Sequence, residues 1–93
     1  MSNRWKKAAA LSYERGESAP RVSAAGRGLQ AERLIAAARE AGVAIVEEPA
    51  LAALLEAVEP GDYIPPWCWE AAARILAFVF TQEALFDGKN VVE

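Results

Sequence analysis

Histidine is absent from this chain, and cysteine occurs once, at Cys68. The first absence removes the usual general base near neutral pH and the commonest metal ligand. The second excludes an internal disulfide, so packing alone must hold the domain together, which suits a reducing cytoplasm. A nucleophilic Cys68 would also need a base to form its thiolate. Trp67 and Trp69 instead give it an apolar setting that raises a thiol pKa, so inert packing is its expected role. No window reaches the ~18–20 unbroken apolar residues that cross a bilayer. The richest, residues 67–80, is interrupted by Glu70 and Arg74. The start, Met1-Ser-Asn-Arg-Trp-Lys-Lys, has charge but no apolar run or cleavage site behind it, so it does not read as a secretory signal. Basic residues are scarce in the second half. Residues 47–93 carry two Lys/Arg against nine Asp/Glu, whereas residues 1–46 carry eight against four. That asymmetry can steer a partner, although solvated faces also look this way. A net charge of −3 argues against nucleic acid, because phosphate neutralisation drives such binding.

What is present is a 54% apolar chain of 93 residues, enough for one domain with one modest core. Residues 8–13 form a short apolar run before the charged turn Glu14-Arg-Gly-Glu, and residues 20–25 a second extended run with Val22 as its core residue. The turn length pairs the two as a hairpin. Pro20 has no backbone donor and belongs at a strand start or an edge. After Gly26-Arg-Gly, the residues Ala31, Leu34, Ile35 and Ala38 repeat at helical spacing, and Gly42 ends the helix. Residues 43–46 are continuously apolar, which predicts a central strand covered on both faces. Pro49 opens a helix with Leu51, Leu54, Leu55 and Val58 on one side, closed by Pro60-Gly61. Pro65-Pro66 introduces a last helix to about Gln82. Trp69, Ala72, Ala73, Leu76 and Phe80 line one of its faces, and Cys68, Ala71, Ile75, Phe78 and Val79 the other. Residues 1–7 are expected as a flexible start and 83–93 as a fraying tail around one domain, 8–82. The fold class is α/β: a small three- to four-stranded sheet flanked by about three helices.

Four places invite a functional reading. Ala19 and Pro20 open a strand whose edge, if free, could accept a peptide by strand addition; the alternative is a hairpin turn whose proline guards an edge. Ala73 and Leu76, beside Trp69 and Phe80, would form a shallow apolar groove unless the core absorbs them. Trp67 and Trp69 cannot share a helical face, so one should be the more exposed, and exposed tryptophan is typical of interfaces. Glu47-Glu48 could do acid/base work, but adjacent strand residues diverge, and negative charge at the start of the Pro49 helix suits a capping role. Gly26-Arg-Gly is too short to be a phosphate loop. No set of residues suggests catalysis, a metal or a cofactor.

The run Ala10-Leu-Ser-Tyr-Glu-Arg-Gly-Glu-Ser-Ala-Pro-Arg-Val-Ser-Ala-Ala-Gly-Arg-Gly-Leu resembles the first half of the cytoplasmic domain of the FlhB/YscU family of flagellar and type III export-gate proteins. Gly42-Val-Ala-Ile-Val-Glu-Glu-Pro-Ala-Leu-Ala-Ala-Leu-Leu resembles its second half, and Ile64-Pro65 with the helix over residues 69–80 its last part. The likeness spans roughly residues 8–81. It implies a non-enzymatic cytoplasmic module that docks export substrates or export-gate proteins, with peripheral association at the membrane gate. It points to a docking surface of Ala19, Pro20, Trp69, Ala73 and Leu76. Two features of the family are missing. The chain has no transmembrane helices ahead of the domain. The self-cleaving Asn-Pro-Thr-His motif would fall on Asn3-Arg4-Trp5-Lys6, where only Asn3 matches, so an uncleavable stand-alone relative is expected. Two other readings stay open: a small enzyme or ligand-binding domain, which would need a pocket of converging polar groups, and a regulatory domain that self-associates through its last helix.

Overall fold

The computed structural model describes residues 6–13, 16–82 and 89–93, with side chains described up to Ile75 in the last helix and again from Asn90. In chain order the elements are β1 (Lys7–Ser12), β2 (Arg21–Arg27), α1 (Leu29–Ala41), β3 (Ala44–Val46), α2 (Pro49–Glu56), a 3-10 turn (Pro66–Cys68), α3 (Trp69–Gln82) and β4 (Lys89–Val92). The four strands form one mixed sheet in the order β2-β1-β4-β3, so the expected α/β class holds.

The hairpin forms as expected. β1 and β2 pair antiparallel from Lys7↔Arg27 to Ser12↔Arg21, with a register shift between Ala10 and Leu11. The extra residue there is Ser23, whose hydroxyl donates to the Ala10 carbonyl at 3.3 Å. Alanine is a poor strand former, yet β1 is alanine-rich because helices cover both of its faces. Ala8 packs against Ala31, Ile35 and Ala38 of α1, together with Val91. Ala9 and Leu11 point the opposite way, into a larger cluster with Leu51 and Leu55 of α2, Ile64, Cys68, and Ala72 and Ile75 of α3. The period-two alternation of a strand thus feeds two separate cores, one on each side of the sheet.

Helix α1 buries Ala31, Ile35 and Ala38 at helical spacing. It ends at Gly42, which takes the left-handed conformation (φ 75°, ψ 18°) and donates its N–H to the carbonyls of Ala38 and Arg39. Gly26 serves the other end. A Cβ placed there would lie 2.7 Å from Cβ of Gln30, so the absent side chain lets β2 and α1 meet closely.

Two expectations need correction, and they share one cause. Residues 83–93 were expected as a tail, but Lys89–Val92 form β4. This strand lies between β1, to which it is antiparallel, and β3, to which it is parallel. Asn90, Val91 and Val92 are all buried. Because β4 takes the inner position, β3 is the edge of the sheet rather than its centre, and its three residues are only half-buried. The end of the chain is pinned further by Glu93 N–H to the Val46 carbonyl (2.9 Å) and Glu48 N–H to the Glu93 carbonyl (2.7 Å).

Asn90 is an odd tenant of this position. It pairs in register with Leu11 and Ala44, and neither its amide nitrogen nor its side-chain oxygen has a hydrogen-bond partner. A buried polar group left unmatched costs about 1–3 kcal/mol. Asn90→Val is therefore expected to raise unfolding stability by about 1–3 kcal/mol, read as a higher urea midpoint at constant slope. An unchanged or lower midpoint would show that the amide is matched in solution, for instance by a buried water.

Candidate functional site: the rim of the last helix

The proline-led start of β2 lies at a sheet edge, but that edge is not open. Residues 61–64 run alongside it. Gly61 N–H bonds the Val22 carbonyl (2.7 Å), Val22 N–H the Asp62 carbonyl (2.9 Å), and Ile64 N–H the Pro20 carbonyl (2.9 Å). Arg21 and Tyr63 face each other in an isolated antiparallel bridge. Pro20 lacks a donor, so only its carbonyl needs a partner here, and Ile64 supplies it. Strand addition beside Ala19 and Pro20 is thus pre-empted by the chain itself, and both residues are buried.

Arg21 locks this seam from outside. Its guanidinium donates to Glu17 Oε2 (2.9 Å), the Gly61 carbonyl (2.9 Å) and the Tyr63 hydroxyl (2.7 Å), and sits 4.0 Å from the Tyr63 ring centre. The bond to Glu17 raises the Arg21 pKa further, so the clamp stays charged. Nothing in the sequence marked this cluster: Gly61 and Tyr63 lie 40 and 42 residues from Arg21.

From the seam the path leads to α3. Ile64 is buried, and its carbonyl accepts the Trp69 indole N–H at 3.2 Å. Pro20, Ile64 and Trp69 are therefore joined through backbone and indole hydrogen bonds. Ala73 lies one helical turn beyond Trp69 and is exposed. Leu76 follows on the same helix; its side chain, like that of Phe80, lies outside the described ones. Of the five residues expected to form the docking surface, Trp69 and Ala73 are at the surface, while Ala19 and Pro20 are buried. Trp67 is 75% exposed and Trp69 48%, the inequality that their angular offset demanded. The buried stripe of this segment is Cys68, Ala72 and Ile75. Ala72 thus sides with the second set of residues and not with Trp69.

The described hollows do not lie between Pro20 and α3. One, of about 300 Å³, is lined by Lys6, Lys7, Glu47, Pro49, Ala53 and Glu93. Lys6 Nζ reaches Glu93 Oε1 there at 3.4 Å. The other, of about 280 Å³, separates α2 from the 3-10 turn and the start of α3. Leu51, Cys68 and Ile75 make its apolar floor; Leu54, Trp67 and Ala71 form its walls, with Glu48 and Arg74 at the margin. Leu54 is half exposed, although the periodicity of α2 had grouped it with the buried Leu51 and Leu55.

The remaining candidates are quieter. Cys68 is buried and its thiol pKa is pushed up by desolvation, as its tryptophan neighbours implied. Glu47 and Glu48 are exposed and line different hollows, so they do not converge. Glu48 stands at the cap position of α2, but its side chain makes no capping hydrogen bond, which corrects that expectation in part. The Gly28 N–H is already bound to the Lys6 carbonyl at 2.8 Å, so the Gly26-Arg-Gly segment offers no free anion cradle there. Among the described residues no cluster of Cys, Asp or Glu could hold a metal ion. None of their helices is long and apolar enough to cross a membrane. Asn3, the remnant of the cleavage motif, lies outside the described residues.

Comparison with known proteins follows the same contours. The family model described as the FlhB HrpN YscU SpaS family matches residues 2–79. The uncharacterized protein YlqH of Bacillus subtilis is 40% identical over 86 residues, covering 91% of this chain and 92% of its own length. The flagellar biosynthetic protein FlhB of Aquifex aeolicus is 39% identical over 74 residues. That match takes in 77% of this chain but only 21% of the Aquifex protein.

Proposed function

The chain belongs to the FlhB HrpN YscU SpaS family, and from that premise we propose that it acts as a non-enzymatic docking module of flagellar or type III protein export. Membership of this family places it with the export apparatus. The reading here goes further: the module works in the cytoplasm and binds export substrates or export-gate proteins on the exposed flank of α3. Trp69 and Ala73 make the contact surface, and Leu76 extends it along the helix. Ala19 and Pro20 act from behind. The Pro20 carbonyl holds Ile64, whose own carbonyl fixes the Trp69 indole. The observation that carries the reading is a half-exposed tryptophan held in one orientation by a hydrogen bond to the backbone, since an indole already ordered loses little freedom on binding.

The flank can be tested without disturbing the core. Ala73 is exposed and glutamate is a good helix former, so Ala73→Glu should fold with an unchanged melting temperature. Its affinity for export substrates and gate proteins, measured by titration calorimetry, should fall about tenfold or more, as for a hot-spot residue. Full binding by both Ala73→Glu and Trp69→Ala, each shown to be folded, would overturn the proposal.

A further inference from the structure

The hollow between α2 and the start of α3 is a second surface, separate from the Trp69–Ala73 flank. We infer that it receives a short amphipathic segment with two adjacent apolar side chains and a basic residue beside them. The volume, about 280 Å³, suits two leucine-sized groups rather than a cofactor. The floor is apolar and buried, made by Leu51, Cys68 and Ile75. The walls are not covered: Leu54 is 50% exposed and Trp67, at 75%, is the most exposed of the large apolar side chains described. Placing such groups in water around an apolar floor is unfavourable unless a partner removes them from it.

The charge around the hollow selects the occupant. Glu48 stands exposed where α2 begins, and Glu70 stands exposed on α3. The single cation at the margin, Arg74, is spent on Glu70 through a 3.0 Å contact. Glu48 makes no capping bond, so its carboxylate is available at the lip. With Arg74 engaged, Glu48 is left as the carboxylate at the lip of the apolar floor. An incoming lysine or arginine meets Glu48 while its apolar neighbours enter between Leu54 and Trp67. An acidic segment is repelled at the same rim. The arrangement of two helices flanking a groove is the one that takes an amphipathic helix by side chains one turn apart.

The experiment uses the full chain labelled with 5-fluorotryptophan, the Trp67 signal being assigned with Trp67→Phe. The probe is a short helical peptide with leucines one turn apart and lysines elsewhere; its counterpart carries glutamates. The lysine peptide should shift the Trp67 resonance and leave that of Trp69 in place. Leu54→Glu and Glu48→Lys, each with an unchanged melting temperature, should each weaken it about tenfold. Equal binding of both peptides, an unmoved Trp67 signal, or undiminished affinity in both folded variants would overturn the inference. Ala73→Glu should leave the peptide bound, so this surface and the export-docking flank stand or fall separately.

Discussion

Val92→Asp is expected to unfold the chain at room temperature. Val92 has no exposed surface and sits in the larger core with Ala9, Leu51 and Leu55. It pairs with Ala9 on one side and Val46 on the other, so both neighbouring strands feel any shift at that point. A carboxylate placed there would be far from water, and an uncompensated buried charge costs several kcal/mol even after relaxation. Domains are stable by about 5–15 kcal/mol in all, with small ones toward the low end. The loss is therefore comparable with the whole margin. Far-ultraviolet circular dichroism should show lost helix and strand signal, and amide proton shifts should collapse to a narrow range. A cooperative unfolding transition within about 1 kcal/mol of the parent would mean that β4 contributes little to the sheet.

A pair of adjacent leucines gives the second large effect and its own control. Leu55 is fully buried on α2, in contact with the cluster that includes Val22, Ile64 and Ala72. Leu55→Ala removes this mass from a filled space, which costs about 2–5 kcal/mol through lost transfer energy and the cavity left behind. With urea slopes of about 1–3 kcal/mol/M, the midpoint should fall by roughly 0.7–5 M. Leu54→Ala, one residue earlier, should cost under about 1 kcal/mol, because half of that side chain already faces solvent. Similar losses at both positions would contradict the packing of α2 against the sheet.

These neighbours also show what the sequence could and could not disclose. The spacing of Leu51 and Leu55 places an apolar stripe on α2, and the stripe is buried. It cannot say that Leu54 overlooks a hollow, because that depends on where the 3-10 turn and α3 cross it. The hairpin and α1 were legible for the same local reasons: two extended runs joined by a turn, and a helical repeat closed by Gly42. β3 was legible as a strand but not as an edge. A run of four apolar residues looks doubly covered, while its true position is settled by β4, more than forty residues away. β4 itself carries a lysine and an asparagine beside two valines and has no periodicity to announce it. Its partners supply the order: β1 and β3 each offer an unpaired edge, and the last strand joins them.

The site divides in the same way. The proximity of Pro20 to Trp69 rests on the Ile64 backbone, a contact between distant segments that no local pattern contains. What pointed to Ala19, Pro20, Trp69, Ala73 and Leu76 was likeness to a family. The inequality between Trp67 and Trp69 needed only helical geometry. The Arg21–Glu17–Tyr63 clamp had no signal at all, since an arginine, a glutamate and a tyrosine on a polar stretch are unremarkable until the chain folds back.

The family match stops at residue 79, yet β4, one of the sheet's two inner strands, begins at Lys89. A gene trimmed to the stretch that the family model matches would encode three strands with a vacancy in their midst, the β1–β2 ladder and a β3 without a neighbour. Any comparison of this protein with its relatives by fragment, fusion or chimera must carry the final residues along, or it will report on a broken frame instead of on binding.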